Sequence, residues 1–134
     1  ASAGGTLCRA HKEEHLIHQV KNVGEHTMHM VGAEALARAP EHHESAAKLE
    51  AHSLRWESER FRVYDIASGD QALRVDYTRH GLLTALQESA VGLAQNTSQS
   101  QPFVGLHAGG FIWIEPPVTL SLPANFVGFF AEWK

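Results

Sequence analysis

The sequence predicts a mainly β chain, a sandwich or jelly roll, and three observations carry that reading. Short runs rich in β-branched and aromatic residues, FIWIE, VTLSL and FVGFF, follow one another from Phe111 to Phe130 and are bounded by Gly, Pro and Asn. The segment LRVDY alternates cleanly, with Leu73, Val75 and Tyr77 on one face and Arg74 and Asp76 on the other, as a half-buried strand does. Several such runs at close spacing are the pattern of antiparallel layers that close on one another.

The remaining segments fill in the order of elements. FRVYDIA sets Phe61, Val63 and Asp65 against Arg62, Tyr64 and Ile66, so neither face is cleanly apolar, as in a strand partly covered on both sides. PEHHESAAKLEAH has proline at a first helical position and an alanine-rich interior, which predicts a short helix or helical linker near residues 41–52. NTSQSQP is polar and turn-rich and reads as an exposed loop; its Asn96-Thr97-Ser98 sequon has meaning only on a eukaryotic secretory route. HGLLTALQESAVGLAQ has helical composition, with Leu82, Leu86 and Leu93 near one stripe, so composition alone does not decide it.

The stretch Gly110 to Lys134 resembles the second motif of the cupins, G-x5-P-x-G-x2-H-x3-N. Gly110, Pro116 and Asn125 fall at matching spacing, while Val118 stands for the second glycine and Ser121 for the histidine; one inserted residue would instead make Leu120 the lost histidine. The first motif, G-x5-H-x-H followed by a glutamate, is similar to the stretch that starts at Gly69, with Val75 and Tyr77 at the two histidine positions. The resemblance covers about Leu49 to Lys134 and implies a cupin-type jelly-roll β-barrel, with strands for HGLLTALQESAVGL. It also implies that the usual metal ligands are lost from this unit. Gly4 to Leu36 resembles the closing hairpin of another cupin: His18 and Asn22 supply H-x3-N, Asn22-Val23-Gly24 supplies turn chemistry, and Glu34 falls near the strand end. The expected organisation is one domain over 1–134, with N-terminal strands in 1–36, a linker in 37–48 and the core in 49–134. Such a chain is either a single barrel with extra strands or the remnant of a two-domain cupin.

Composition excludes several classes. A chain of 134 residues is one domain by length, large enough for its own core. Its single cysteine, Cys8, rules out an internal disulfide and a zinc ribbon. The formal charge of −4 is interspersed, without a basic stripe for phosphates, so no nucleic-acid partner is expected. The apolar run Phe126 to Ala131 is far too short to span a bilayer, so no membrane partner is expected either. No signal-type segment is read, and the cytoplasm is the favoured compartment.

The ten histidines allow a competing reading. On a helix, His11, His15 and His18 share a face and could hold a divalent transition metal; on a strand they divide between faces. His29 lies between Met28 and Met30, where strand alternation favours core packing of the thioethers over a copper site. Protonation of all ten histidines would take the formal charge from −4 to +6. The favoured reading has no cofactor: a non-catalytic or small-ligand-binding barrel with a pocket of Val75, Tyr77, Trp113, Leu120 and Ser121. Tyr77 and His80 are the candidates for acid-base work. The alternative is a metal-dependent dioxygenase or isomerase built on the N-terminal histidines. The apolar ending FVGFFAEW predicts a homodimer.

Overall fold

The computed structural model describes residues 21–28, 30–32, 49–94 and 103–134. Nine strands lie among them: β1 (His52–Glu57), β2 (Phe61–Ala67), β3 (Leu73–Tyr77), β4 (Gly81–Ala85), β5 (Ser89–Ala94), β6 (Phe103–Leu106), β7 (Phe111–Ile114), β8 (Val118–Leu122) and β9 (Val127–Trp133). They form a five-stranded sheet in the order β1-β2-β9-β4-β7 and a four-stranded sheet in the order β3-β8-β5-β6, with every pairing antiparallel. The alternation that predicted β3 is observed: Val75 and Tyr77 are buried in the core, while Arg74 and Asp76 are exposed. In β8 the same period buries Val118, Leu120 and Leu122. β2 explains its mixed pattern by position, since Tyr64 and Ile66 join the core while Val63 is buried on the opposite face.

HGLLTALQESAVGL forms β4 and β5, so sheet pairing overrides its helical composition. Most of the helix expected near residues 41–52 lies outside the described residues. Its last part is not helical: residues 49–51 form a bend and turn, and His52 opens β1. Of the N-terminal strands expected in 1–36, residues 21–28 and 30–32 carry bends and no strand, and the rest lie outside the described residues, as does the 96–102 loop. The Asn22-Val23-Gly24 turn is present, with Asn22 Oδ1 accepting from Gly24 N at 3.0 Å and Asn22 Nδ2 donating to the His26 carbonyl at 2.7 Å. Met28 and Met30 are 41 % and 61 % exposed, which corrects the expectation that they pack in a core; without a strand there is no alternation to bury them.

The motif residues that remain are scaffold. A Cβ on Gly110 would sit 2.9 Å from the His107 carbonyl oxygen and 3.1 Å from the His107 nitrogen, so only glycine closes the β6–β7 turn. Gly69 and Asn125 both have positive φ, 73° and 61°, and the Asn125 N–H donates to the Gly69 carbonyl at 2.6 Å. Ser68 clamps the same junction, its hydroxyl donating to the Pro123 carbonyl at 2.8 Å and accepting from Phe126 N at 2.8 Å. The two motif turns therefore hold each other, which requires their glycine and asparagine and makes no use of a histidine. Replacing Asn125 by valine is expected to cost about 1–2 kcal/mol in urea unfolding, because a β-branched residue is disfavoured in the left-handed region, whereas Asn125→Gly should be nearly neutral. Equal losses in both variants would show that the Asn125 side chain, not its backbone conformation, is what counts.

Candidate functional site

The register of β3 and β8 decides which positions face the barrel interior. Val75 pairs with Leu120, Tyr77 with Val118 and Leu73 with Leu122, so β8 turns Leu120 inward and Ser121 outward, opposite Arg74. Of the two residues that the motif resemblance offers for the histidine position, Leu120 is the one that faces the interior. Val75, Tyr77 and Leu120 are all buried, at 3 %, 1 % and 0 % exposure. Gly81 faces inward from β4, four residues after Tyr77. A Cβ there would strike the Phe130 ring and lie 2.6 Å from the Ala131 carbonyl oxygen, so no larger side chain fits.

Three of the expected site residues do not face the interior. Ser121 points to the outer side of the four-stranded sheet. Trp113, 51 % exposed, stands on the outer side of the five-stranded sheet, paired across to Leu82. His80 packs there too, with ring centroids 6.0 Å from Trp113 and 5.9 Å from Trp133. Strand parity is the reason: Ser121 and Trp113 each lie one residue from an inward position, Leu120 and Ile114, and a shift of one reverses the face. His11, His15 and His18 lie outside the described residues.

The imidazole that meets Tyr77 is His52, from β1. Its Nε2 lies 2.7 Å from the Tyr77 hydroxyl and its Nδ1 lies 2.8 Å from the Glu50 carbonyl oxygen. A carbonyl only accepts, so Nδ1 carries the proton and donates to Glu50. Burial holds the His52 pKa below its ordinary value, against the opposing pull of the Glu50 hydrogen bond and the Glu132 charge. The neutral ring then offers a lone pair at Nε2, and Tyr77 donates to it. Burial, followed by the charge of Glu132, pushes the Tyr77 phenol well above its usual range, which keeps it a donor.

Glu132 of β9 completes the cluster, the one buried charged residue among the described residues at 1 % exposure. One of its oxygens, Oε2, accepts from Arg62 Nη1 and from the Tyr64 hydroxyl, each at 3.3 Å. Arg62 also donates to Glu57 at the rim, where Lys134 Nζ lies 3.6 Å from the same carboxylate. The arrangement is a polar end to an otherwise apolar barrel: Tyr64, Tyr77 and Glu132 inside, with half-buried His52 and Arg62 between them and solvent. Among the described residues no buried side-chain nitrogen or oxygen lacks a hydrogen-bond partner. The sequence signal for His52 and Glu132 was faint, since each is a single polar residue in a strand whose register was unknown. Parity from Phe130, once placed inside, would have found Glu132.

His52 gives the site a pH signature. Because its folded pKa lies below the unfolded value near 6.5, the unfolded chain takes up the proton first. The stabilisation is complete above about pH 6.5 and is lost as pH falls from there through the lowered folded pKa. Urea midpoints are expected to fall more steeply from about pH 7 to about pH 5 in the wild type than in His52→Gln, and parallel curves would show that His52 titrates as it does in the unfolded chain.

The two antiparallel sheets pack around one core as a jelly-roll barrel. No protein-family model matches the sequence, and no curated protein matches it. Among solved structures the chain is similar to a cupin domain from Bordetella pertussis Tohama I, with a TM-score of 0.50 and 13 % identity over 62 % of this chain and 91 % of that one. A cupin-2 domain containing protein from Shewanella frigidimarina aligns with a TM-score of 0.46 and 8 % identity, over 63 % of this chain and 81 % of that one. A cupin superfamily protein from Desulfitobacterium hafniense aligns with a TM-score of 0.43 and 12 % identity, over 73 % and 95 %. The described core has the cupin fold. The resemblance implies metal ligands at the positions of Val75, Tyr77 and Leu120, and the two aliphatic side chains and one phenol that stand there do not fit a metal. Among the described residues no helix is long and apolar enough to cross a membrane.

Proposed function

We propose that this chain is a metal-free, non-catalytic cupin barrel that binds a small polar molecule at the end of the barrel marked by His52. The observation that supports it is the pairing of an apolar set at the ligand positions with a polar cluster behind one half-buried imidazole. Metal chemistry has no donor set at Val75 and Leu120, whereas a hydroxyl or carboxylate entering at the rim would meet His52 and Arg62, with Tyr77 behind them. Small polar ligand sites have this composition, a mostly apolar wall and a few convergent polar groups. The Tyr77 hydroxyl donates a hydrogen bond to His52 Nε2, so a ligand that displaces that bond is offered a phenol donor and an imidazole acceptor together.

The test combines elemental analysis with NMR. Protein purified without chelator is expected to retain no stoichiometric metal, and a set of small sugars and hydroxy acids is expected to shift the His52 and Tyr77 ring resonances, an effect abolished in His52→Ala. One equivalent of metal lost in His18→Ala would overturn the reading in favour of a metal enzyme built on the N-terminal histidines. Ligand binding that leaves both rings unmoved would overturn the placement at His52.

A further inference from the structure

The two sheets present opposite chemistry to the outside. Over β3 and β8 the four-stranded sheet has the polar exterior of an ordinary solvated face, with Arg74 and Asp76 exposed and Thr119 donating to Asp76 at 2.5 Å; among the described residues its one large exposed apolar side chain is Phe103, at the β6 edge. The five-stranded sheet has no such polar exterior. Its register sets Trp56, Val63, Ala131, Leu82 and Trp113 in one row across all five strands. Along β9 every outward position is apolar, Val127, Phe129, Ala131 and Trp133, although the strand's other side already fills the core. Val63 is only 6 % exposed on this outer side, while Phe111 and Trp113 at the β7 edge are 57 % and 51 % exposed. The charged pair on this face is self-neutralised: Arg55 Nε lies 3.0 Å from both Asp65 oxygens, and its guanidinium lies 5.2 Å from the Phe129 ring centroid.

A sheet that is apolar on both sides is built to be covered on both sides. We propose that the outer face of the five-stranded sheet is the surface on which a second copy of this chain docks, face to face across a two-fold axis. Area and charge favour that occupant. Five strands at about 4.8 Å spacing, four to seven residues long at about 3.3 Å per residue, give a face of roughly 24 by 19 Å, about 460 Å² per copy. Two such faces together come close to the roughly 1,000 Å² that a specific interface requires, whereas one extended peptide covers a single strand's width. A two-fold partner brings the same neutral, aromatic surface, so no charge is stranded on either side. This inference is independent of what the barrel binds.

The chain's three tryptophans, Trp56, Trp113 and Trp133, all lie on this face, which supplies the readout. Light scattering of the full chain at about 50 µM is expected to give twice the chain mass, with a concentration-dependent unfolding midpoint. Trp113→Arg and Phe111→Arg, at exposed positions, should each yield a folded monomer whose remaining tryptophans become several-fold more accessible to acrylamide. Phe103→Arg, 70 % exposed at the edge of the other sheet, should remain dimeric. A wild-type monomer at that concentration would overturn the proposal, and quenching would tell how: shielded tryptophans mean that the chain covers its own face, accessible ones that the face stays open. A dimer that survives both arginine substitutions, or is lost in Phe103→Arg, would overturn it equally.

Discussion

Val75→His, Tyr77→His and Leu120→His combined are expected to give this barrel a site for one Co²⁺ or Ni²⁺ per chain. Val75 and Leu120 are direct partners across the β3–β8 ladder, and Tyr77 is the next inward residue on β3. Three imidazoles from these positions would converge from two adjacent strands, the arrangement a three-nitrogen site needs. The metal-free variant should be much less stable, because each unpartnered polar group moved into the core costs about 1–3 kcal/mol against a total of about 5–15. Metal would return most of that loss, since binding to the folded state alone adds directly to folding stability. Visible absorption of bound cobalt and the thermal midpoint with and without it are the measurements. A folded triple variant that takes up no cobalt would mean that these strands hold the cupin topology without holding the three positions at ligand distance.

Glu132→Ala is expected to cost about 3 kcal/mol in urea unfolding, well above an average substitution. The loss has two parts. The Tyr64 hydroxyl, buried with its ring at 0 % exposure, loses an acceptor inside the barrel. Arg62 loses one of two carboxylates but keeps Glu57 and a side chain 24 % exposed, so the full penalty of a stranded buried charge does not apply. Glu132→Gln keeps an acceptor for both donors and should cost about 1 kcal/mol, and Tyr64→Phe about the same. A Glu132→Ala variant as stable as wild type would show that burying the carboxylate costs as much as its partners return, in which case the cluster is kept for binding rather than for stability.

The fold was legible where side chains alternate and turns are chemically marked. LRVDY and VTLSL have period two, and Gly69, Gly110 and Asn125 are demanded by backbone geometry at three turns. The site was legible only as far as parity was. Val75 and Tyr77 could be placed inside from the alternation of LRVDY, whereas the motif spacing offered Ser121 before Leu120, and both Ser121 and Trp113 miss the interior by one residue. His80 follows Tyr77 closely in sequence, yet it stands on the far side of the sheet. Its place beside Tyr77 is taken by His52, 25 residues upstream, a contact that strand order alone creates. Glu132 sat within an apolar run whose outward residues are as hydrophobic as its inward ones, which hid the face on which a carboxylate would be buried.

The position of β9 also governs how this barrel comes together in time. It lies between β2 and β4, so until it arrives the five-stranded sheet is two separate strand pairs, the β1-β2 hairpin and the longer-range β4-β7 pair. On the ribosome both pairs emerge earlier and wait with an open edge. The joining strand pairs with β2 across 60 to 72 positions of sequence, and β8 reaches β3 across 41 to 49. Loop closure must precede these contacts, which places folding in the slow, millisecond-to-second regime of non-local β topologies. FVGFFAEW is thus the closing piece of one sheet and, until it finds both neighbours, the segment most exposed to pairing with the wrong chain.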